Sequence, residues 1–159
     1  MTVSTDLVAT WRRPRQVLRR HLARGKSEAF AFTLLLVFLI LAFVGQWPIA
    51  AREAFLAGEQ SALPRILAVA YGVLILIPVA YGIAALSRLV GRAFGGQGSW
   101  YSARVALFWA LAATGPVLLL QGLVAGMIGP GPALTAVTWV GGLAFLWLWA
   151  TLLHEAERG

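Results

Sequence analysis

The sequence contains no cysteine, which excludes disulfides, thiolate metal sites and a thiol nucleophile. It has no asparagine and a single lysine, Lys26, among 13 basic residues. With its many alanines, glycines and arginines, this usage points to a GC-rich genome and a bacterial source. Charge is sparse, at 12% of residues against 60% hydrophobic. From Val105 to Leu153 no side chain is ionisable.

A helix crosses roughly 30 Å of hydrocarbon in about 20 residues. The run from Val105 to Leu153 is long enough for two such helices and is broken by Gly129-Pro130-Gly131-Pro132, a turn sequence. It predicts a transmembrane hairpin. Ala29 to Ala51 and Ile66 to Ser87 are also uncharged and each predict one further span. The expected fold is therefore all-α, a polytopic membrane bundle of four transmembrane helices. Arg12, Arg13, Arg15, Arg19, Arg20, Arg24, Lys26, Arg88, Arg92, Arg104 and Arg158 fall on one side of these spans, and Arg52 and Arg65 on the other. Lys and Arg beside spans are retained in the cytoplasm. Both termini and the middle loop are thus expected there, with the protein in the bacterial inner membrane. The same distribution accounts for the net charge of +7 without nucleic acid, whose binding would gather cations on a folded soluble face.

Two units are expected: a basic segment over residues 1–28 and a four-helix transmembrane domain over 29–159. In the first, Leu7, Trp11, Leu18 and Leu22 fall at helical spacing with Val8 and Val17 beside them. Arg12, Arg13, Arg15, Arg19, Arg20 and Arg24 occupy the other face. One reading is an amphipathic helix on the membrane with its arginines at anionic head groups; the other is a topology-setting flank with incidental leucines. Pro14 predicts a break near Arg13, and Gly25 an end to the second piece. The apolar run after this segment is too long for a cleaved signal peptide, so an uncleaved anchor is expected.

Local punctuation extends to the spans. Ser27 is placed to cap the first and Pro64 to open the second, while Gln46-Trp47-Pro48 closes the apolar part of the first. The loop beyond it is expected over Arg52 to Leu63. Pro78 and Pro116 predict kinks. Gly122 and Gly126 form a GxxxG pair, and Ala68/Gly72 and Ala80/Ala84 repeat the spacing, which allows close helix contact within the bundle or in a dimer.

The stretch Arg88 to Arg104 is the most unusual. Gly95 and Gly96 end one helix, Ser99 is placed to cap the next, and Trp100 and Tyr101 suit the head-group layer. Arg88 and Arg92 lie at a helix C-terminus, where the dipole favours cations, but Arg104 lies near a helix N-terminus, where it does not. Arg104 is explained either by topology or by an anion at the helix start. Arg88, Arg92 and Arg104 with N–H groups near Gly98 and Ser99 would suit a lipid phosphate or a partner's carboxylate.

This stretch, continued through Phe108-Trp109 to Pro116, resembles the core of bacterial Yip1-domain membrane proteins, which carry a Gly-rich loop ahead of a proline-containing span. The basic N-terminal flank, Gly45-Gln46-Trp47-Pro48 and the Gly129 to Pro132 turn add to the resemblance. It implies a polytopic helical protein in a family whose eukaryotic members act in vesicle traffic, bind small GTPases and influence membrane shape. Two departures stand out. Family members commonly have five spans against four here, and the Asp-Leu-Tyr-Gly-Pro motif of the eukaryotic branch is missing, Asp6-Leu7 being followed by Val8. GTPase binding therefore does not transfer.

Chemistry-bearing patterns are few. Ser99 and His154 lie at the same ends of their spans, but a cap and an interfacial histidine account for them. His154-Glu155 lacks the second histidine of a zinc protease, and Gly95 to Gly98 lacks the remaining residues of a phosphate loop. No mid-span ionisable group is present to couple ions. The expected function is a non-enzymatic integral membrane protein, without cofactor or metal, that binds anionic lipid or a membrane-protein partner, including a second copy. Its alternatives are a small transporter or channel, and an accessory subunit of a respiratory or photosynthetic complex.

Overall fold

The computed structural model describes residues 3–158, with side chains from Thr5 onward. Met1, Thr2 and Gly159, at the outer ends of the two expected units, lie outside the described residues. Six helices follow one another: α1 (Val3–Thr10), α2 (Pro14–Leu22), α3 (Glu28–Leu56), α4 (Leu63–Ala93), α5 (Trp100–Met127) and α6 (Pro132–Ala156). No strand occurs among the described residues. The last four are long and apolar enough to cross a membrane.

Helix boundaries follow local chemistry. Ser27 Oγ accepts the backbone N–H of Phe30 at 3.2 Å and starts α3. Pro64 and Pro132 sit in the first turns of α4 and α6, where a missing N–H costs nothing. At the start of α5, Ser99 Oγ accepts from Ser102 N (3.0 Å) and Ser102 Oγ accepts from Ser99 N (2.9 Å), a reciprocal capping box. Gly95 (φ +83°) and Gly129 (φ +92°) turn the chain out of α4 and α5 through left-handed backbone that side chains disfavour.

One expected boundary differs. The helix begun at Ser27 does not stop at Ala51 but continues through Pro48 to Leu56, so the expected loop over Arg52 to Leu63 shrinks to residues 57–62. The residues from Ala51 to Leu56 are mostly strong helix formers, and Arg52 gains partners by remaining helical. Its guanidinium donates to Gly126 O at 3.3 Å, one of the last carbonyls of α5. Pro78 and Pro116 also lie inside unbroken helices.

Helix α5 is the axis of the bundle. Its face from Tyr101 to Gly115 is almost wholly buried, with Phe108 and Trp109 fully enclosed. The most extensive contact is between α5 and α3. A Cβ on Gly122 would run into the backbone of Gly45, and one on Gly126 into Pro48. The GxxxG pair therefore faces α3 of the same chain, where van der Waals fit replaces the missing hydrophobic drive. Helix α4 is the least buried of the four. It meets its neighbours through Ala80, Ala84 and Ser87, while Gly72 faces open space.

The N-terminal segment shares this core. Pro14, Val17, Leu18 and His21, at helical spacing, are buried, and Val17 and Leu18 join the cluster that holds Leu34, Phe108, Trp109 and Leu152. Of the expected stripe, Val17 and Leu18 are covered by the bundle and Leu7 and Leu22 partly so, while Val8 and Trp11 stay exposed. Residue 28 marks the start of α3, but the core runs across it.

Candidate functional site

Helix α2, the end of α6 and the α4–α5 loop meet at one end of the bundle, the basic end. Its centre is a socket for the C-terminus of α6. Gln97 N donates to Glu157 O (2.9 Å), and Ser102 Oγ donates to Ala156 O (3.2 Å), satisfying carbonyls that a helix end leaves orphaned. The Glu157 carboxylate then folds back over α4. A Cβ at Gly91 would lie 2.6 Å from Glu157 Cδ, one at Gly98 would lie 2.5 Å from Ala156 O, and one at Gly96 would strike Glu157 Oε2. Arg88 closes the cradle, its Nη1 donating to Glu157 Oε2 at 2.9 Å with both side chains largely buried.

The expected anion site is thus arranged differently from its sequence reading. The structure brings Arg88 and Gly98 together, but around a carboxylate of the chain itself. Ser99 N is taken up by Ser102. Arg104 pairs with Glu28, the first residue of α3, so its place near a helix start is explained by a neighbouring helix's acidic first turn. Arg92 is exposed and has no ion pair among the described residues. Ser99 is a cap, and His154 is exposed on α6.

A second constellation joins the N-terminal helices to the bundle. Trp109 Nε1 donates to Thr10 Oγ1 at 2.7 Å, and Thr10 Oγ1 donates to Asp6 O at 2.7 Å. Asp6 and His21, 3% and 5% exposed, pair at 3.1 Å between Oδ2 and Nε2. The imidazole stacks on Phe30 (5.1 Å, 13°) and packs against Trp109 (4.5 Å). Burial pushes the His21 pKa below its ordinary value, against the hydrogen bond and charge of Asp6, and nearby Arg24 and Arg20 push the same way as burial. A neutral ring donating Nε2–H to the carboxylate fits this environment. Sequence reading missed Asp6 and His21; the signal available was a histidine on the apolar face of α2.

The arginines of the N-terminal segment divide. Arg19 pairs with buried Glu155, and Arg20 lies 3.8 Å from Asp6. Arg15 on α2, Arg12 and Arg13 in the turn before it and Arg24 in the turn after it are exposed. Among the described residues no three carboxylate, histidine or cysteine side chains gather as metal ligands.

Beside the socket, α4 and α6 diverge around a groove of about 600 Å³. Ile83, Leu86 and Val90 line one wall, and Trp149, Ala150 and Leu153 the other. At its basic end lie Phe94, His154, Glu157 and Arg158.

The Yip1 domain family model matches residues 8–158. The chain belongs to the Yip1 domain family. The match takes in every helix from α2 to α6, so the docked N-terminal helix and the Glu157 socket both fall within the Yip1 domain. No curated protein and no solved structure matches the chain. In this Yip1 domain protein the Gly-rich loop has a local physical role: its missing side chains make room for a carboxylate from α6.

Proposed function

We propose that this Yip1 domain protein is a non-enzymatic component of the bacterial inner membrane whose cytoplasmic end binds anionic phospholipid. One observation carries the reading: Arg12, Arg13, Arg15 and Arg24 stand exposed on α2 and in the turns at its two ends, while Pro14, Val17, Leu18 and His21 of that helix are buried in the bundle. These cations are held by protein packing at the level where the spans end. A flexible tail would have to be ordered on contact with the membrane; a docked one is in place beforehand. Arg92 is exposed as well, whereas Arg88 and Arg104 are neutralised internally. Each cation near an anionic surface contributes about 1 kcal/mol, screened by salt.

The test is native mass spectrometry of the purified protein titrated with phosphatidylglycerol and with phosphatidylcholine. The expected result is preferential retention of phosphatidylglycerol, weakened by salt and lost in the Arg12→Gln, Arg13→Gln, Arg15→Gln, Arg24→Gln variant. Equal retention of both lipids by the unaltered protein would overturn the reading.

A further inference from the structure

We propose that the groove between α4 and α6 is a site for one acyl chain of an anionic glycerophospholipid, with its phosphate at His154 and Arg158. The proposal rests on the lipid-binding reading above and adds to it a defined seat, separate from Arg12, Arg13, Arg15 and Arg24.

Length is the first argument. The α4 wall runs from Ile83 to Phe94 and the α6 wall from Trp149 to Arg158. At 1.5 Å per residue these are roughly 16 Å and 13 Å, about half of a 30 Å hydrocarbon layer. One leaflet of lipid tail matches that length. A partner transmembrane helix would need a seam of about twice the extent.

Polarity is the second. Along its length the groove presents Ile83, Leu86, Val90, Trp149, Ala150 and Leu153, and ionisable side chains enter at one end. Of those, Glu157 is engaged by Arg88. His154 and Arg158 are exposed, and Arg158 forms no ion pair among the described residues. The mouth therefore carries an uncompensated cation and an imidazole N–H, the complement of a phosphodiester, placed at the basic end of the spans. The volume also lies in the range of sites that enclose small ligands, roughly 300–1,000 Å³.

Access is the third. Leu86 and Val90 are 62% and 50% exposed, and α4 is the least buried span, so a chain enters sideways from the bilayer. Glu157 forms the floor of the mouth. Its carboxylate, held in the glycine cradle, sets how far the phosphate can descend.

A photoactivatable phosphatidylglycerol bearing a diazirine on one acyl chain, reconstituted with the full-length protein in phosphatidylcholine vesicles, tests the site. Adducts are expected to concentrate on Leu86, Val90, Trp149 and Leu153, several-fold above those on Leu143 and Leu146 of the exposed α6 face. Ala150→Trp, which fills the groove from an exposed position, should remove that excess. His154→Gln with Arg158→Gln should remove it for phosphatidylglycerol and leave background labelling by a diazirine phosphatidylcholine unchanged. Glycerol phosphate without acyl chains should not compete. Even labelling around the bundle, or crosslinking of one protein copy to another through the groove, would overturn the proposal. Because Ala150→Trp leaves Arg12, Arg13, Arg15 and Arg24 untouched, loss of the groove adducts with retained phosphatidylglycerol preference separates this site from the broader reading. Loss of preference in the four-arginine variant with unchanged groove adducts separates them the other way.

Discussion

The indole N–H of Trp109 donates to Thr10 Oγ1 at 2.7 Å, across 99 residues of sequence. It joins the shortest helix to the most deeply buried part of α5. Both groups are fully buried, so removing one leaves the other without water. Thr10→Val should destabilise the docked N-terminal segment by about 1–3 kcal/mol, the cost of an unpaired buried donor. Trypsin cleavage at Arg24 and Lys26, in the linker before α3, reports it as faster nicking in mild detergent. Adding Trp109→Phe removes the orphaned donor, and the double variant should be less sensitive than the sum of the single changes.

Acid should undock the same segment. The groups facing His21 are Asp6 from α1, Arg20 from α2, Arg24 from the linker that follows it, Phe30 from α3 and Trp109 from α5. Burial lowers the docked pKa, so the undocked state binds more protons near an ordinary value of about 6.5. Docking stability is therefore complete above that value and falls as pH drops through it toward the lower docked pKa. Because the chain has no cysteine, Val8→Cys, at an exposed position, accepts a single spin label. Label mobility should rise between pH 7 and pH 5 and respond less in His21→Gln. Mobility that rises with increasing pH would contradict the assignment.

Features that depend on adjacent residues were legible in the sequence. Ser27, Pro64, Ser99 and Gly95 act within one turn of their own position, so their residue types disclose the helix ends they make. The spans were legible because lipid imposes one rule on every residue along them. The partners of the basic residues were not. Arg88 pairs with Glu157 across 69 positions and Arg104 with Glu28 across 76, and charge counting cannot distinguish a topology signal from an ion pair that forms only when helices assemble. Arg52 shows the same limit: it counted against the topology, yet it caps the end of α5. The stripe on α2 was visible, but lipid and protein interiors are alike to an apolar side chain, and periodicity does not separate them.

Breaking the α6 socket should loosen the basic end without unfolding the spans. Arg88 and Glu157 are 12% and 11% exposed at the side chain, so each depends on the other for compensation. Glu157→Ala should cost about 1.5–3 kcal/mol, the value of a hydrogen bond to a charged group, and increase hydrogen exchange at the end of α6. Arg88→Gln with Glu157→Gln should recover part of that loss by removing both charges. Gly96→Ala should resemble Glu157→Ala, because its methyl enters the space of the carboxylate.

The glycine pair on α5 yields the final prediction, which separates packing within one chain from association between chains. A methyl on Gly122 has no direction in which to relax, since the atoms it meets are the backbone of Gly45 and not a movable side chain. Gly122→Ala should therefore separate α3 from α5 at a cost of about 1–3 kcal/mol, and Gly122→Leu should cost more. Gly126→Ala meets Pro48, whose ring is equally rigid, and should behave alike. The measurement is thermal unfolding in detergent together with mass by light scattering. Lower stability at unchanged mass is expected, because the surface these glycines form is already occupied by α3. A fall in oligomer mass with unchanged stability would instead place them at an interface between copies.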